Sequence, residues 1–477
     1  MLNTTTRRHF LKSVAASSAA LALSTLTKCS TKAQQKPNVL VIFCDDLGYG
    51  DLGTFGHPTI RTPNLDRMAA EGQKWTSFYA AASVCTPSRA GLMTGRLPVR
   101  SGMCSDRRRV LFPDSAGGLP QSEITIARAV KEVGYKTACF GKWHLGHLPQ
   151  YLPTSHGFDT YFGIPYSNDM DKLKSLSIEQ QMDPKVEDYN VPLLRNEEEI
   201  ERPADQHTIT KRYSEEAIKF IKRNKEHPWF VYLAHTMVHI PLFASEKFRG
   251  ASTRGLFGDT VEEIDAGIGN ILKALQETGQ DKNTMIVFTS DNGPWLPFRE
   301  HSGSAGLLRE GKGTTWEGGM REPTIFYWPG KIKPAIITDI GSTLDLFATI
   351  ATIAGARIPD DREMDSYNLA PALFEKEKSP RQEMFYYRGQ TLFAVRKGSY
   401  KAHYITMSEY TKDNNRQEHD PPLLFNLDHD PGENYECSAK HPDVLADIQR
   451  LVNEHKTKLV KGEDQLVARI KDAEPVR

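Results

Sequence analysis

Apolar residues recur along this chain in short unbroken runs, and each run stops at a cluster of polar residues. Val39 to Phe43 runs into Asp45-Asp46-Leu47-Gly48, and Thr137 to Phe140 into Gly141-Lys142-Trp143-His144. Trp229 to Ala234 runs into His235 and His239, and Met285 to Thr289 into Ser290-Asp291-Asn292-Gly293. Runs that are apolar at every position predict strands covered on both faces, as in parallel sheets. Segments with apolar residues at helical spacing lie between them. Thr62 to Glu71 has Pro63 near its start and Gly72 just past its end, the expected asymmetry of helix signals. Ser122 to Val133 carries Ile124, Ala127, Val130 and Val133 and stops at Gly134, while Tyr213 to Arg223 and Thr260 to Thr278 are further amphipathic segments. This alternation predicts a large doubly wound α/β domain with a parallel or mixed sheet. Open sheets of this kind bind ligands beyond the C-terminal ends of their strands, which is where the polar clusters fall.

The pattern breaks twice. Asp169 to Asp205 is charged and lacks apolar periodicity, which predicts a long surface excursion beside the ligand-binding edge. After about Glu375 the runs become short and alternating, as in Leu392-Phe393-Ala394-Val395, and Asp443 to Lys461 has the spacing of a terminal helix. With 477 residues the chain exceeds what one core supports. Residues 36–375 are therefore expected to form the α/β domain, and residues 376–477 a smaller α+β domain with an antiparallel sheet.

Composition changes this picture little. Hydrophobic residues make up 39% and charged ones 25%, and Lys+Arg equals Asp+Glu at 60 each. That balance argues against a nucleic-acid or membrane-surface partner. Residues 1–33 read as an export signal. Arg7-Arg8 precede a small-residue apolar run, Ser13 to Leu26, without an acidic residue, the form of a twin-arginine leader. The run is short for a membrane span, so the mature chain is expected to have none and to lie in the periplasm or outside the cell. Cys29 stands where a lipid-attachment cysteine would, but Lys28 before it fits that signal poorly. The remaining cysteines, Cys44, Cys85, Cys104, Cys139 and Cys437, are odd in number and form no CxxC pair, unlike a disulfide framework or a thiolate zinc site.

Two groups of residues carry candidate chemistry. Asp45, Asp46 and Asp291, with the amide oxygen of Asn292, are placed to converge on a hard divalent cation. A single strand-end Asp is as readily a helix cap or turn residue, but two such clusters in one domain favour a metal. Arg89, Lys142, His144, His239 and Lys312 stand near strand ends or in Gly-rich loops, where cations cradle a tetrahedral anion and imidazoles move protons. Arg309-Glu310-Gly311-Lys312-Gly313-Thr314-Thr315 lacks the GxxxxGK[ST] spacing of a P-loop, which excludes a nucleotide site there.

The discriminating stretch is Cys85-Thr86-Pro87-Ser88-Arg89-Ala90-Gly91-Leu92-Met93-Thr94-Gly95. It resembles the signature of the formylglycine-dependent (type I) sulfatases of the alkaline phosphatase-like superfamily: C-x-P-S-R, a small-residue segment, then T-G. Further stretches are similar to arylsulfatase A and its relatives: Gly141 to Gly146, Gly163 to Ser167, Leu307 to Pro323 and Pro421 to Tyr435. The resemblance implies that Cys85 is oxidised to formylglycine (3-oxoalanine) by a formylglycine-generating enzyme. It also implies that Asp45, Asp46, Asp291 and Asn292, with the modified Cys85, bind one calcium ion. Arg89, Lys142, His144, Ser167, His239 and Lys312 match sulfate-binding and catalytic positions, and His403 matches a substrate-pocket residue of the second domain. Trp295, Phe298, Arg299 and His301 depart from the relatives and, with His403, are candidate substrate contacts.

The resemblance implies a chemistry as well. One hydroxyl of the aldehyde hydrate attacks sulfur, His239, with Lys312, protonates the departing alcohol, and His144 removes the second hydroxyl proton to expel sulfate. Arg89 holds the hydrate. The expected substrate is a sulfated carbohydrate. Two other readings stand beside this one: a phosphonate or phosphodiester hydrolase of the same superfamily, and a catalytically silent carbohydrate-binding homologue.

Overall fold

The strand runs are where the sequence places them, and each is sealed on both faces. A computed structural model describes residues 36–410 and 415–471; the export signal of residues 1–33 and Cys29 lie outside the described residues. In β1 (Asn38–Cys44) every residue is buried. Leu40, Ile42 and Cys44 face one apolar cluster and Val39, Val41 and Phe43 the other, because successive side chains of a strand point to opposite faces. The first cluster is closed by the helices Pro63–Glu71, Gln206–Arg223 and Leu256–Glu277. The second is closed by Cys85–Thr94, Ile126–Glu132 and Asp345–Ala354.

Nine more strands complete the large sheet: β2 (Gln73–Tyr79), β3 (Lys136–Gly141), β4 (Thr160–Gly163), β5 (Leu193–Arg195), β6 (Glu198–Glu201), β7 (Trp229–Ala234), β8 (Thr284–Ser290), β9 (Arg321–Tyr327) and β10 (Ala335–Ser342). Their order is β10-β2-β9-β8-β1-β7-β3-β4-β5-β6. The centre, β8-β1-β7-β3-β4, is parallel throughout, while β9, β5 and β6 pair antiparallel with their neighbours, so the sheet is mixed. The register brings the strand ends level: Cys44 lies opposite Ser290, Phe43 opposite Ala234, and Gly141 opposite Ala234. The residue after each of these ends therefore opens onto the same space.

A second, antiparallel sheet follows in the order β11 (Glu383–Arg388), β12 (Thr391–Lys397), β13 (Tyr400–Thr406) and β14 (Gln417–Asn426). The helix Pro442–Lys458 covers one face, packing Ile448 and Val452 on Val395, Ala402 and Leu424.

The segment from Asp169 to Asp205 departs from its expectation as a surface excursion. It buries Met170, Tyr189, Val191 and Leu193 in the core and supplies β5 and β6 to the sheet edge. Its apolar residues are too sparse to show a period: these four turn inward, whereas Leu173, Ile178 and Ile200 stay exposed. The helix expected from Tyr213 begins at Gln206, where the Asp205 carboxylate accepts the His207 N–H at 3.1 Å, a standard N-cap. The helix expected from Ser122 begins later, at Ile126, capped by Thr125.

Candidate active site

Cys85 opens a ten-residue helix whose every residue is buried. Its thiol donates to Asp45 Oδ1 at 3.6 Å, and burial pushes that thiol up to about 12 against the pull of Lys142 and Lys312. The side chain as translated is therefore a protonated thiol at neutral pH and a poor nucleophile. One turn further on the same face stands Arg89. Its guanidinium grips Asp291 Oδ2 through Nε (3.0 Å) and Nη2 (2.7 Å) and donates Nη1 to the Lys142 carbonyl at 2.9 Å. Three elements are thereby clamped together: this helix and the ends of β8 and β3.

Four strand ends deliver the rest. Beyond β1, Asp45 is fully buried and Asp46 nearly so. The Lys142 ammonium, just past the β3 glycine Gly141, bonds Asp45 Oδ2 and also donates to Ser167 Oγ at 3.1 Å. Burial would raise the Asp45 carboxyl, but Lys142, His239, Arg89 and Lys312 outweigh it and hold it well below the usual range. Lys312 reaches in from a loop to Asp46 at 2.8 Å and lies 4.4 Å from the centre of the Trp295 ring. Burial disfavours both ammonium charges, yet Asp45 raises the pKa of Lys142 and Asp46 that of Lys312. Both lysines thus stay charged in a dry site, where fixed charges act most strongly.

The two histidines have defined faces. His144 Nε2 donates to the Leu111 carbonyl at 2.8 Å, leaving Nδ1 buried with no partner. Burial first, then Lys142, hold its pKa well below the ordinary value, so Nδ1 keeps its lone pair. His144 also takes φ 59°, a left-handed backbone that a non-glycine residue adopts only under local constraint. His239 donates Nδ1 to the Ile240 carbonyl and turns Nε2 toward Asp46 Oδ2, 3.6 Å away. Burial and then Lys312 lower its pKa too.

Cys85, His144, Ser167, His239 and Lys312 line one cavity of about 190 Å³, with Asp169, Arg109 and Trp295 at its walls. The donor atoms of Asp45, Asp46, Cys85 and His239 all lie within 4.8 Å of one another. Asn292 donates its amide nitrogen to Asp46 Oδ1 at 2.7 Å, and its own Oδ1 is buried without a partner. An orphaned amide oxygen beside two carboxylates fits a hard divalent cation. Asp291 stands apart from that foursome: Arg89 takes its Oδ2, and its Oδ1 accepts the Asp46 N–H at 3.2 Å.

Two expected substrate contacts lie elsewhere. His403 is fully buried, bonds Glu433 at 2.6 Å through Nε2 and lies tilted against Trp316, with ring centres 4.4 Å apart. His301 sits in the turn Leu296–His301, and neither residue lines the cavity. Sequence reading missed Asp169, Arg109, Val110, Phe112 and Met170, which do. Asp169 shared the signal of the other site residues, a polar cluster after a strand, but β4 is only four residues long.

Comparison with known proteins gives the family. The sulfatase family model matches residues 37–356, and the model for the C-terminal region of aryl-sulfatase matches residues 379–475. Arylsulfatase A of Bos taurus is 43% identical over 446 residues, covering 88% of this chain and 87% of its own length. N-acetylgalactosamine-6-sulfatase of Mus musculus is 40% identical over 479 residues, covering 94% and 91%. Among solved structures, PsFucS1 sulfatase from Pseudoalteromonas sp. superposes with a TM-score of 0.80 at 30% identity, covering 93% of this chain and 96% of that one. Ps i-CgsB in complex with k-i-k-neocarrahexaose gives 0.76 at 30% identity, covering 92% and 96%. The chain belongs to the sulfatase family and is a sulfuric ester hydrolase of the arylsulfatase A-like kind.

Proposed function

We propose that this enzyme removes sulfate from a sulfated carbohydrate, using a formylglycine made from Cys85 and one calcium ion. The observation that carries this reading is the meeting of Cys85, the buried Lys312 ammonium and two buried imidazoles in one small cavity, with the Lys142 ammonium bonded to Ser167 on its wall. The carbohydrate is supported by the N-acetylgalactosamine-6-sulfatase relative and by the oligosaccharide complex of Ps i-CgsB. It is supported too by a second cleft of about 400 Å³ that shares Val84 and Arg109 with the catalytic cavity, room for a neighbouring sugar.

Asp45, Asp46 and Asn292 would hold the cation, with Asp291 and the modified Cys85, and it would supply Lewis-acid polarisation of a sulfate oxygen. Formylglycine would supply an aldehyde hydrate, whose hydroxyl is the nucleophile that the protonated thiol is not. The remaining work falls to the chain's own side chains. Lys142 and Lys312 neutralise the anionic ester, so that a nucleophile can approach it. His144 Nδ1, unprotonated and unpartnered, is the base. His239 is the acid: its low pKa rises when a sulfate ester brings negative charge beside it. Arg89 positions the start of the helix through Asp291 and the Lys142 carbonyl.

The Arg7-Arg8 leader supports export to the periplasm or the exterior, after oxidation by a formylglycine-generating enzyme. The reading is tested by mass spectrometry of the tryptic peptide containing Cys85, from a host that carries the maturation enzyme. The expected result is the mass loss of thiol-to-aldehyde conversion, together with sulfate release from sulfated sugars. An unmodified cysteine in a preparation that still releases sulfate would refute the nucleophile.

A further inference from the structure

Asp169 lines the catalytic cavity, and none of the chemistry above uses it. Burial would raise its carboxyl, but His239, Lys172 and Lys142 outweigh burial and keep it below the usual range. It is therefore an ionised, acceptor-only group. Its Oδ1 is nevertheless shut off from solvent with no hydrogen-bond partner. Ser167, two residues earlier on the same loop, accepts from Lys142 at 3.1 Å and supports the Asp169 carboxylate with its hydroxyl. The unpaired acceptor thus stands beside the ammonium proposed to hold the sulfate.

A carboxylate is an odd lining for a pocket that takes an anion. Sulfate oxygens cannot donate to it and are repelled by it, so its complement has to be a neutral donor carried on the same substrate. A sugar supplies one: the hydroxyls that flank its sulfated carbon. A simple aryl sulfate has none and would leave the acceptor unpaired, the situation that gives sites built for a hydroxyl their strongest discrimination. Resting on the reading that this cavity takes a sulfate ester, we propose that Asp169 is a specificity-determining residue that accepts a hydrogen bond from a carbohydrate hydroxyl neighbouring the sulfate. It thereby selects polyhydroxylated sulfate esters over aryl ones.

The test compares kcat/KM of matured wild type, Asp169→Ala and Asp169→Asn on phenyl sulfate and on the monosulfated galactose isomers. Asp169→Asn keeps the side chain's shape should the alanine variant fail to fold, and thermal melts report folding. The expected result is a loss of about tenfold to a hundredfold on the sulfated galactose that wild type cleaves best, with phenyl sulfate hydrolysis unchanged or faster. Equal losses on both substrates, or a shifted pH profile on phenyl sulfate, would mean that Asp169 acts through His239 and would overturn the assignment. Wild type that cleaves phenyl sulfate but no sulfated galactose overturns it as well. Wild type that cleaves neither strikes at the proposed function itself and removes this inference with it.

Discussion

Lys142 and Asp45 show how much one pair of side chains is asked to do. Both are fully buried and bonded to each other, so removing either takes away the other's nearest charged partner. Lys142→Ala is expected to cost about 3–5 kcal/mol of stability, the usual penalty for breaking a buried pair. It should also lower kcat by about 10²–10³, as losing one preorganised charge does; urea unfolding and steady-state kinetics separate the two effects. Lys142 and His144 were legible because they directly follow an apolar run. Asp169 was not, since its strand is short and the charged residues after it masked the pattern. His403 departs from its expectation for a different reason. Its sequence context resembles a pocket residue, but Trp316 and Glu433, far along the chain in either direction, enclose it. The cation site has its own test. Removing metal with a calcium-selective chelator should abolish sulfate release, and calcium but not magnesium should restore it.

Among the elements, two glycines at strand ends set how closely the site residues meet. A Cβ on Gly141 would lie 1.7 Å from the Ala234 carbonyl oxygen, and one on Gly163 would lie 1.8 Å from the Gly141 oxygen. Gly141 also has φ 110°, where side chains are strained. Gly141→Ala should therefore push β3 from β7 and carry Lys142 and His144 with it. The expected outcome is a kcat/KM at least about a hundredfold lower, since misplacement of about 1 Å has that effect. The four central strands β1, β3, β7 and β8 were legible because each is a short run buried on both faces, too brief for a helix. Helix starts were less so: Gln206 to Arg212 is largely polar and depends on the Asp205 cap rather than on periodicity.

Across the whole molecule, the two sheets are joined by a buried charged network. Glu317, which opens the short helix Glu317–Met320 just after the Lys312 loop, accepts from Tyr79 (2.6 Å) and Lys401 (2.9 Å), and its backbone N–H donates to Glu433 at 2.7 Å. Glu433 also takes His403 and Lys401. Glu433→Gln should lower stability by about 3–5 kcal/mol and reduce activity through the Lys312 loop, with melting temperature and kcat as readouts. A pH prediction belongs at this scale too. Burial lowers the pKa of His156 and His455 to about 4 and of His235 to about 3. Their unfolded forms take up a proton as pH falls below the ordinary value near 6.5, whereas the folded forms do not. Stability is therefore full above that pH and should decline from there toward pH 4, which urea midpoints measured across the range would reveal. The general two-sheet architecture was readable from the change of pattern after Glu375. The network was not, because its members are scattered from Tyr79 to Glu433 and nothing local marks them as partners.

The burial of Cys85 sets an order of events during synthesis. In the finished fold it is 2% exposed at the head of a wholly buried helix, leaving no room for another enzyme to grasp the chain around it. On the ribosome the position is different. Cys85 emerges long before Asp291 can engage Arg89, and before Glu433 arrives to lock the Lys312 loop. The proposed conversion of Cys85 to formylglycine would thus belong to the interval between those arrivals, and anything that hastens closure of the sheet, a stabilising core mutation included, would shorten the time in which the enzyme can be switched on.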